Sequence, residues 1–265
     1  MLKQKKVIVS LTSFPAAMIY AKDAINSILA GNTLPDKLVL YLTFSQFKEN
    51  KVPLEIMNLA NSNALFEIRN YSQDIRSYRK LIPALKDFPN DIIVTIDDDV
   101  RYHKNMLRDL LILHKQIPDV IIANRAKKIK LNAPYRQWKK YRWYHFLFKK
   151  LNFSFKNIQT GVGGVLYPPN SLNKKMLDSD IFKEIAPTTD DIWFWAAAVA
   201  KGTYIIPFPF GKYNKPRGLN KPKNLSLKTI NFKKSTDLNR TAFEKILEKY
   251  PIISDIFYRK ILQRK

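Results

Sequence analysis

Apolar and polar positions along the chain alternate between two rhythms, and the alternation predicts strand, helix, strand, helix over the first hundred residues. Residues 7–13 (VIVSLTS) are a predicted strand ending in hydroxyl side chains, followed by Phe14 and Pro15. Residues 19–29 carry Ile25, Ile28 and Leu29 at helical spacing and stop at Gly31, a helix with its stop signal. A second strand is predicted over 37–43 after the turn signal Leu34-Pro35-Asp36, a short helix over 55–60 and a third strand over 65–69. Residues 78–85 read as a helical turn interrupted at Pro83. Then come Ile92 to Ile96, apolar or β-branched throughout. A run with no polar alternation is a strand buried on both faces, as in a parallel sheet between helices.

That strand runs straight into Asp97, Asp98 and Asp99. Three adjacent carboxylates repel one another unless a cation or a donor network lies between them. Continued strand geometry puts Asp97 and Asp99 on one side and Asp98 on the other. Ligands of open α/β sheets bind beyond the carboxyl ends of the strands, so the acids predict a divalent-cation site at the sheet edge. A solvated acidic turn is the plainer alternative.

Beyond the acids, residues 104–116 form an amphipathic helix with Met106, Leu107, Leu110, Leu111 and Leu113 apolar, and 120–123 a short strand. Residues 135–155 interleave Trp138, Tyr141, Trp143, Tyr144, Phe146 and Phe148 with Arg and Lys. This is either a core-facing helix with snorkelling basic stems or an aromatic, basic binding surface. Gly161, Gly163 and Gly164 are three of the seven glycines within four residues, which marks a tight turn or close backbone approach to a ligand; neither phosphate-loop spacing is met. Thr188, Thr189, Asp190 and Asp191 open a helix that continues as IWFWAAAVA and ends near Gly202. A helix apolar on every side is buried. Thr or Asp caps it, and a second acid at its mouth exceeds what capping needs, which makes Asp191 a candidate catalytic or substrate-binding residue. The helix dipole is expected to lower that acid's pKa. Residues 204–210 make a last strand, 211–228 a Lys-, Asn- and Pro-rich loop or lid, and 241–250 and 252–262 a basic helical tail. The predicted organisation is one domain over 1–220, in halves of 1–100 and 101–220, and a basic loop and tail over 221–265.

Composition narrows the partners. There are 46 Lys and Arg against 22 Asp and Glu, a net charge of +24, which favours an anionic partner: nucleic acid, a phospholipid surface or phosphorylated substrates. Absence of cysteine excludes disulfides and thiolate metal sites and is compatible with a reducing compartment. The start, MLKQKK, leads into a short alternating segment rather than the long apolar core of a secretory signal, and no window approaches eighteen uninterrupted apolar residues. The expected location is cytoplasmic, with the basic tail able to rest on the inner face of the membrane.

The first strand VIVSLTSFP, the acid cluster IDDDV, the run GVGGVLYPP and the helix start TDDIWFW, in that order over residues 7–212, resemble the bacterial GT-A-fold glycosyltransferases of surface-polysaccharide and lipooligosaccharide synthesis. The resemblance implies an α/β, GT-A-like fold: a doubly wound, mostly parallel sheet flanked by helices, with a helical basic C-terminal appendage. It implies a catalytic domain over 1–220 with a nucleotide-sugar donor, UDP-sugar favoured, in the nucleotide-binding half 1–100, and a glycan or lipid-linked acceptor in the acceptor half 101–220. Mn²⁺ or Mg²⁺ would be held by Asp97 and Asp99, with Asp97 also near the ribose. Ser10, Thr12 and Phe14 would border the nucleotide, and Asp74, Tyr78 and Lys80 the base and phosphate. Asp98 would belong to the donor site, as the acid turned toward backbone donors. Gly163 and Gly164 would lie against the donor sugar, Asp190 and Trp193 against the acceptor, and Asp191 would be the base of an inverting transfer. Two departures stand out. No histidine follows the buried helix to complete a metal site, which leaves two acids or a ligand such as Asn214. Ala16 stands where a phosphate-binding Arg is expected, which moves that contact to Lys212, Lys215 or Arg217. The competing readings are a two-metal nucleic-acid-processing enzyme with the aromatic, basic segment as its strand platform, and a non-catalytic scaffold at the membrane surface. No nucleic acid is expected under the leading reading.

Overall fold

The computed structural model describes residues 5–142, 144, 151–208, 215–225, 231–233 and 236–262. Its centre is a seven-stranded sheet. The strands are β1 (Val7–Thr12), β2 (Lys37–Leu42), β3 (Phe66–Asn70), β4 (Ile92–Thr95), β6 (Ile121–Ala123), β10 (Val165–Tyr167) and β11 (Ile205–Pro207), in the spatial order β11-β6-β10-β4-β1-β2-β3. Only β10 runs antiparallel to its neighbours, inserted between β4 and β6. β1 is central and pairs in parallel with β2 on one side and β4 on the other, Ser10 lying opposite Val39 and Thr95.

Because strand side chains alternate, each apolar strand feeds two cores. Ile8, Val39, Tyr41, Ile93, Val165, Tyr167 and Ile205 face one side. They pack against α3 (Ile82–Asp87), α5 (Ser179–Ile185) and α6 (Asp190–Lys201), and α7 (Leu238–Lys249) and α8 (Pro251–Leu262) complete that core. Val9, Leu11, Leu38, Leu40, Val94, Ile122 and Ile206 face the other, against α1 (Met18–Leu29), α2 (Leu54–Ser62) and α4 (Met106–Gln116). In α1, Met18, Ala21, Ala24, Ile25 and Ile28 are the buried stripe, and in α4 it is Met106, Leu107, Leu110 and Leu113. α6 is buried on nearly every side, and its indoles find acceptors inside the core: Trp193 Nε1 donates to Met176 O at 2.6 Å and Trp195 Nε1 to Phe155 O at 2.8 Å. Trp195 packs 5.2 Å from the Phe243 ring of α7 and 5.7 Å from the Phe257 ring of α8. The C-terminal helices therefore cover α6 with an apolar face, and Lys245 and Lys249 of α7 are exposed. Gly202, at φ +81°, ends α6 in the left-handed conformation, as the stop signal predicts.

Three local expectations are corrected. Pro83 begins a helix instead of breaking one: a 3-10 turn covers Arg76–Lys80, and Pro83 sits in the first turn of α3, where its missing N–H costs nothing. Residues 139–142 are not helical. β7 (Ala126–Lys128) pairs antiparallel with β8 (Lys139–Lys140) and with β9 (Asn157–Gln159), a small sheet beside the main one. Trp138 is a core residue, its Nε1 donating to Ala133 O. Trp143, Phe146 and Phe148 lie outside the described residues. The acids lie not in a continued strand but in a turn: β4 ends at Thr95, Ile96 N still donates to Ser10 O, and the chain reverses through Asp98 and Asp99 into β5 (Val100–Arg101).

Candidate active site

The turn after β4 stands at the carboxyl end of the central strands and is held from three sides. Asp97 N donates to the buried Tyr102 hydroxyl at 2.9 Å. Asp98 is turned inward, as expected, but its donors are side chains rather than backbone: Ser13 Oγ at 2.6 Å on Oδ2 and Lys221 Nζ at 3.0 Å on Oδ1. Lys221 arrives from the loop beyond β11. There β12 (Arg217–Gly218) pairs with β5, and Leu219 N donates to Asp99 O at 2.8 Å. The Lys221 ammonium lies 3.6 Å from Asp99 Oδ2 and 5.2 Å from the centre of the Phe14 ring. Part of the predicted lid is thus strapped across the acids. Lys212 and Asn214 lie outside the described residues, and Arg217 is exposed on β12.

A second acid pair meets the first. Thr189 at the start of α6 makes no side-chain cap, contrary to expectation; the loop 159–161 supplies the contacts instead. Gly161 N donates to Asp191 Oδ1 at 3.0 Å, and Gln159 Nε2 to Asp191 O at 3.0 Å. Lys80, from the end of the 3-10 turn, bridges the two sets, with Nζ 2.8 Å from Asp97 Oδ1 and 3.0 Å from Asp190 Oδ2. Gly161 closes this junction. A Cβ there would lie 2.6 Å from Lys80 Nζ, 3.1 Å from Asp97 Oδ1 and 3.5 Å from Asp191 Oδ1, so a side chain at this position would displace the ammonium from its carboxylates.

Burial sets the electrostatics. The Asp191 carboxyl is pushed up to about 8, by desolvation first and then by the Asp190 carboxylate, with Lys80 and the Gly161 N–H opposing. The helix-dipole expectation is overturned: loss of water outweighs a partial charge at the helix end. Asp99 is also raised, by burial and then by Asp97, whereas for Asp98 burial outweighs the help of Lys221 and Ser13. Burial pulls Lys80 down, but Asp190, Asp97 and Asp191 together carry it well above its usual value, so it stays an ammonium.

Asp97, Asp99, Asp190, Asp191 and Lys80 are brought together, while several other predicted site residues serve the scaffold. Ser10 is buried and donates to Lys80 O at 2.6 Å, positioning the lysine rather than touching a nucleotide. The Thr12 hydroxyl donates to Tyr41 O and accepts from Arg79 Nε. Tyr78 is fully buried, stacked on Phe182 at 4.0 Å with its hydroxyl on Ala186 O, and Trp193 is equally buried; neither reaches a ligand. Lys80 pairs with the carboxylates of Asp97 and Asp190. Asp74 is exposed and closes its own turn on Arg76 N. Gly163 and Gly164 answer to internal packing: a Cβ on Gly163 would lie 2.6 Å from Arg125 Cβ, and Gly164 adopts φ +84° beside Met106. Of the glycine run, Gly161 is the site member. Sequence reasoning missed it, together with Lys221, Ser13 and Arg79, the last buried and bonded to Thr12, Thr43 and Ser13 O.

The donor set at the turn suits a hard divalent cation. Asp97 and Asp99 keep partly accessible carboxylates, 27% and 30% exposed, and the charge of one raises the pKa of the other, a repulsion that a cation between them would relieve. Among the described residues no third His, Cys, Asp or Glu completes a group with them, so further ligands would be oxygens of substrate or water.

No family model matches the chain, and no curated protein matches it. Among solved structures, the crystal structure of S. aureus TarS 1-349 superposes with a TM-score of 0.54 at 12% identity, covering 91% of this chain and 70% of that one. The chain shares the fold of TarS. The likeness to TarS supports the α/β, GT-A-like architecture expected from the four motifs.

Proposed function

We propose that this protein is a divalent-cation-dependent glycosyltransferase that moves a sugar from a nucleotide-sugar donor, UDP-sugar favoured, to a glycan or lipid-linked acceptor in cell-surface polysaccharide synthesis. The observation that carries the reading is the convergence of two acid pairs on one lysine at the carboxyl end of a parallel sheet. One pair is partly open to solvent, and the other holds a carboxyl of raised pKa. The structural neighbour TarS is itself a glycosyltransferase, which favours the same class here. Asp97 and Asp99 would hold Mn²⁺ or Mg²⁺, which when bound neutralises the charge that builds on a departing nucleoside diphosphate. Phe14, beside Lys221, borders that turn. Asp191 is the base: a carboxylate with a pKa near 8 accepts a proton from a sugar hydroxyl far more readily than an ordinary one near 4. The Gly161 N–H fixes its orientation, and Lys80 keeps Asp97 and Asp190 from repelling each other.

No helix among the described residues is long and apolar enough to cross a membrane, and the basic surface suits a cytoplasmic protein resting on an anionic inner leaflet. Trp138, one aromatic of the platform that a nucleic-acid enzyme would need, faces the core, which weakens that alternative. The direct test is thermal stabilisation by UDP-, GDP- and CMP-sugars with and without Mn²⁺, in the native chain and in Asp99→Asn. Stabilisation by one nucleotide class that needs Mn²⁺ and is lost in Asp99→Asn is expected. A cation effect unchanged by Asp99→Asn removes the metal assignment, and silence toward all three classes removes the reading.

A further inference from the structure

The small sheet beside Asp191 carries a charge pattern that its fold does not explain. In the β7–β8 register Lys127 stands directly opposite Lys140, and Lys128 opposite Lys139. Like charges facing each other across an antiparallel pair destabilise it. Residues 125–142 contain no acid to separate them. Side chains alternate, so Lys127 and Lys140 share one face and Lys128 and Lys139 the other. Arg125, two residues before Lys127, falls at the register position of the Lys127 face, is exposed, and has no ion-pair partner among the described residues.

One side chain of the first face is held in place by the fold. Lys127 is buried; its ammonium donates to Tyr135 O at 2.8 Å and lies 3.4 Å from the centre of the Tyr135 ring. Burial, followed by Lys140 and Arg125, pushes it down to about 8, so those two cations lie close enough to disfavour the charge on Lys127. Asp237 and Asp191 act on Lys127, and Asp190 joins them at Tyr135. Asp237 has both oxygens occupied by backbone, Tyr135 N at 2.7 Å and Arg240 N at 3.1 Å. Asp191 is the acid at the mouth of α6 whose charge acts on both Lys127 and Tyr135. The backbone explains the link: Thr160 N donates to Arg125 O at 2.9 Å, and the next residue, Gly161, holds Asp191.

We propose that the face bearing Arg125, Lys127 and Lys140 is an anion-binding subsite for the acceptor, reading an oxyanion that neighbours the hydroxyl delivered to Asp191. The acceptor is then an anionic glycan, carrying phosphate or carboxylate groups, and the cation excess of the chain has a local task at this face. The assignment to the acceptor rests on the glycosyltransferase reading; the anion site itself does not.

The test uses the full chain and two double variants that remove equal charge. Arg125→Gln with Lys140→Gln alters the proposed face, and Lys128→Gln with Lys139→Gln alters the opposite one. Short linear polyphosphate, oligogalacturonate, phosphatidylglycerol–phosphatidylcholine vesicles and UDP with Mn²⁺ are titrated into each. Loss of affinity for polyphosphate or oligogalacturonate by about tenfold or more in the first variant only, with UDP affinity kept, is the expected result, and the probe that loses more identifies the anion. Equal loss in both variants, or none in either, overturns the subsite. Vesicle binding that depends on Arg125 and Lys140 while neither oligomer binds overturns it in favour of a membrane surface. Failure of the parent reading shows separately: the unchanged protein then does not bind UDP, and the acceptor assignment falls even where the oligomers still bind.

Discussion

Asp191→Asn should make the protein more stable, and the gain should depend on pH in one direction. The carboxyl is lifted from 3.8 to about 8 in the folded chain, so between those values the native state retains a proton that the unfolded chain releases. Stability linked to this group is therefore fully present below about pH 4. It declines as pH rises toward 8 and is flat beyond. At ~1.36 kcal/mol per pH unit a lift of that size corresponds to a penalty on the order of 5 kcal/mol. Asp190 shares the burden, and Lys80 would lose one of its three carboxylate neighbours in the variant, which leaves about 1–3 kcal/mol as the net gain. Asparagine keeps an oxygen for the Gly161 N–H, so the loop remains anchored. For a chain of this size that gain is worth roughly 3–10 °C in Tm. Thermal denaturation of both proteins from pH 4 to pH 9, compared as a difference, should show coincidence at the acid end and a widening gap up to about pH 8. A gap that is constant with pH, or a variant less stable at pH 8, would refute the claim that Asp191 is a buried carboxyl of raised pKa. The same titration should govern transfer: the rate of the unaltered protein should climb through pH 7 and level off near 8.

Gly161→Ala drives a methyl to within 2.6 Å of Lys80 Nζ, so it should cost about 1–3 kcal/mol by denaturant titration and reduce transfer by breaking the junction of the acid pairs. Lys221→Met leaves the buried Asp98 with Ser13 alone; a loss of about 3 kcal/mol, with faster proteolysis in residues 215–225, is expected, and unchanged cleavage would show that the strap is held by β12 without its lysine. Tyr78→Phe removes only the bond to Ala186 O, so about 1 kcal/mol of stability should go while nucleotide affinity stays the same; a large fall in that affinity would return Tyr78 to the donor site.

The strands were legible because a sheet covered on both faces demands near-continuous apolar runs, and β1 (broken at Ser10), β2, β4 and β6 have them. α6 was legible for the same reason: nothing but burial explains IWFWAAAVA. What could not be read is which polar groups those elements bring together. Tyr78 and Trp193 have the chemistry of ligand-binding residues, yet each spends its polar atom on a carbonyl inside the core. Lys221 is one lysine among many in a basic loop, and only the pairing of β12 with β5 sets it against Asp98, 123 positions away in sequence. The glycine run announced a close approach without saying to what. Two of its members meet Arg125 and Met106, and the third meets the acids. The pKa of Asp191 was misread because the dipole of a helix follows from sequence, whereas the desolvation that opposes it depends on residues far along the chain.

Charge balance ties these elements into one device. Five carboxylates, Asp97, Asp98, Asp99, Asp190 and Asp191, share two ammonium groups, Lys80 and Lys221, and each lysine serves more than one acid. Lys80 binds across the two pairs and Lys221 across Asp98 and Asp99, so five acids are shared between two ammonium groups. Burial raises Asp98, Asp99 and Asp191, the groups that the lysines satisfy least or that lie deepest. A partly exposed carboxylate pair therefore stands at the turn and a carboxyl that titrates near 8 at the mouth of α6, the two places where the proposed transfer needs a cation to be attracted and a proton to be accepted. A fully neutralised cluster would be more stable and would do neither.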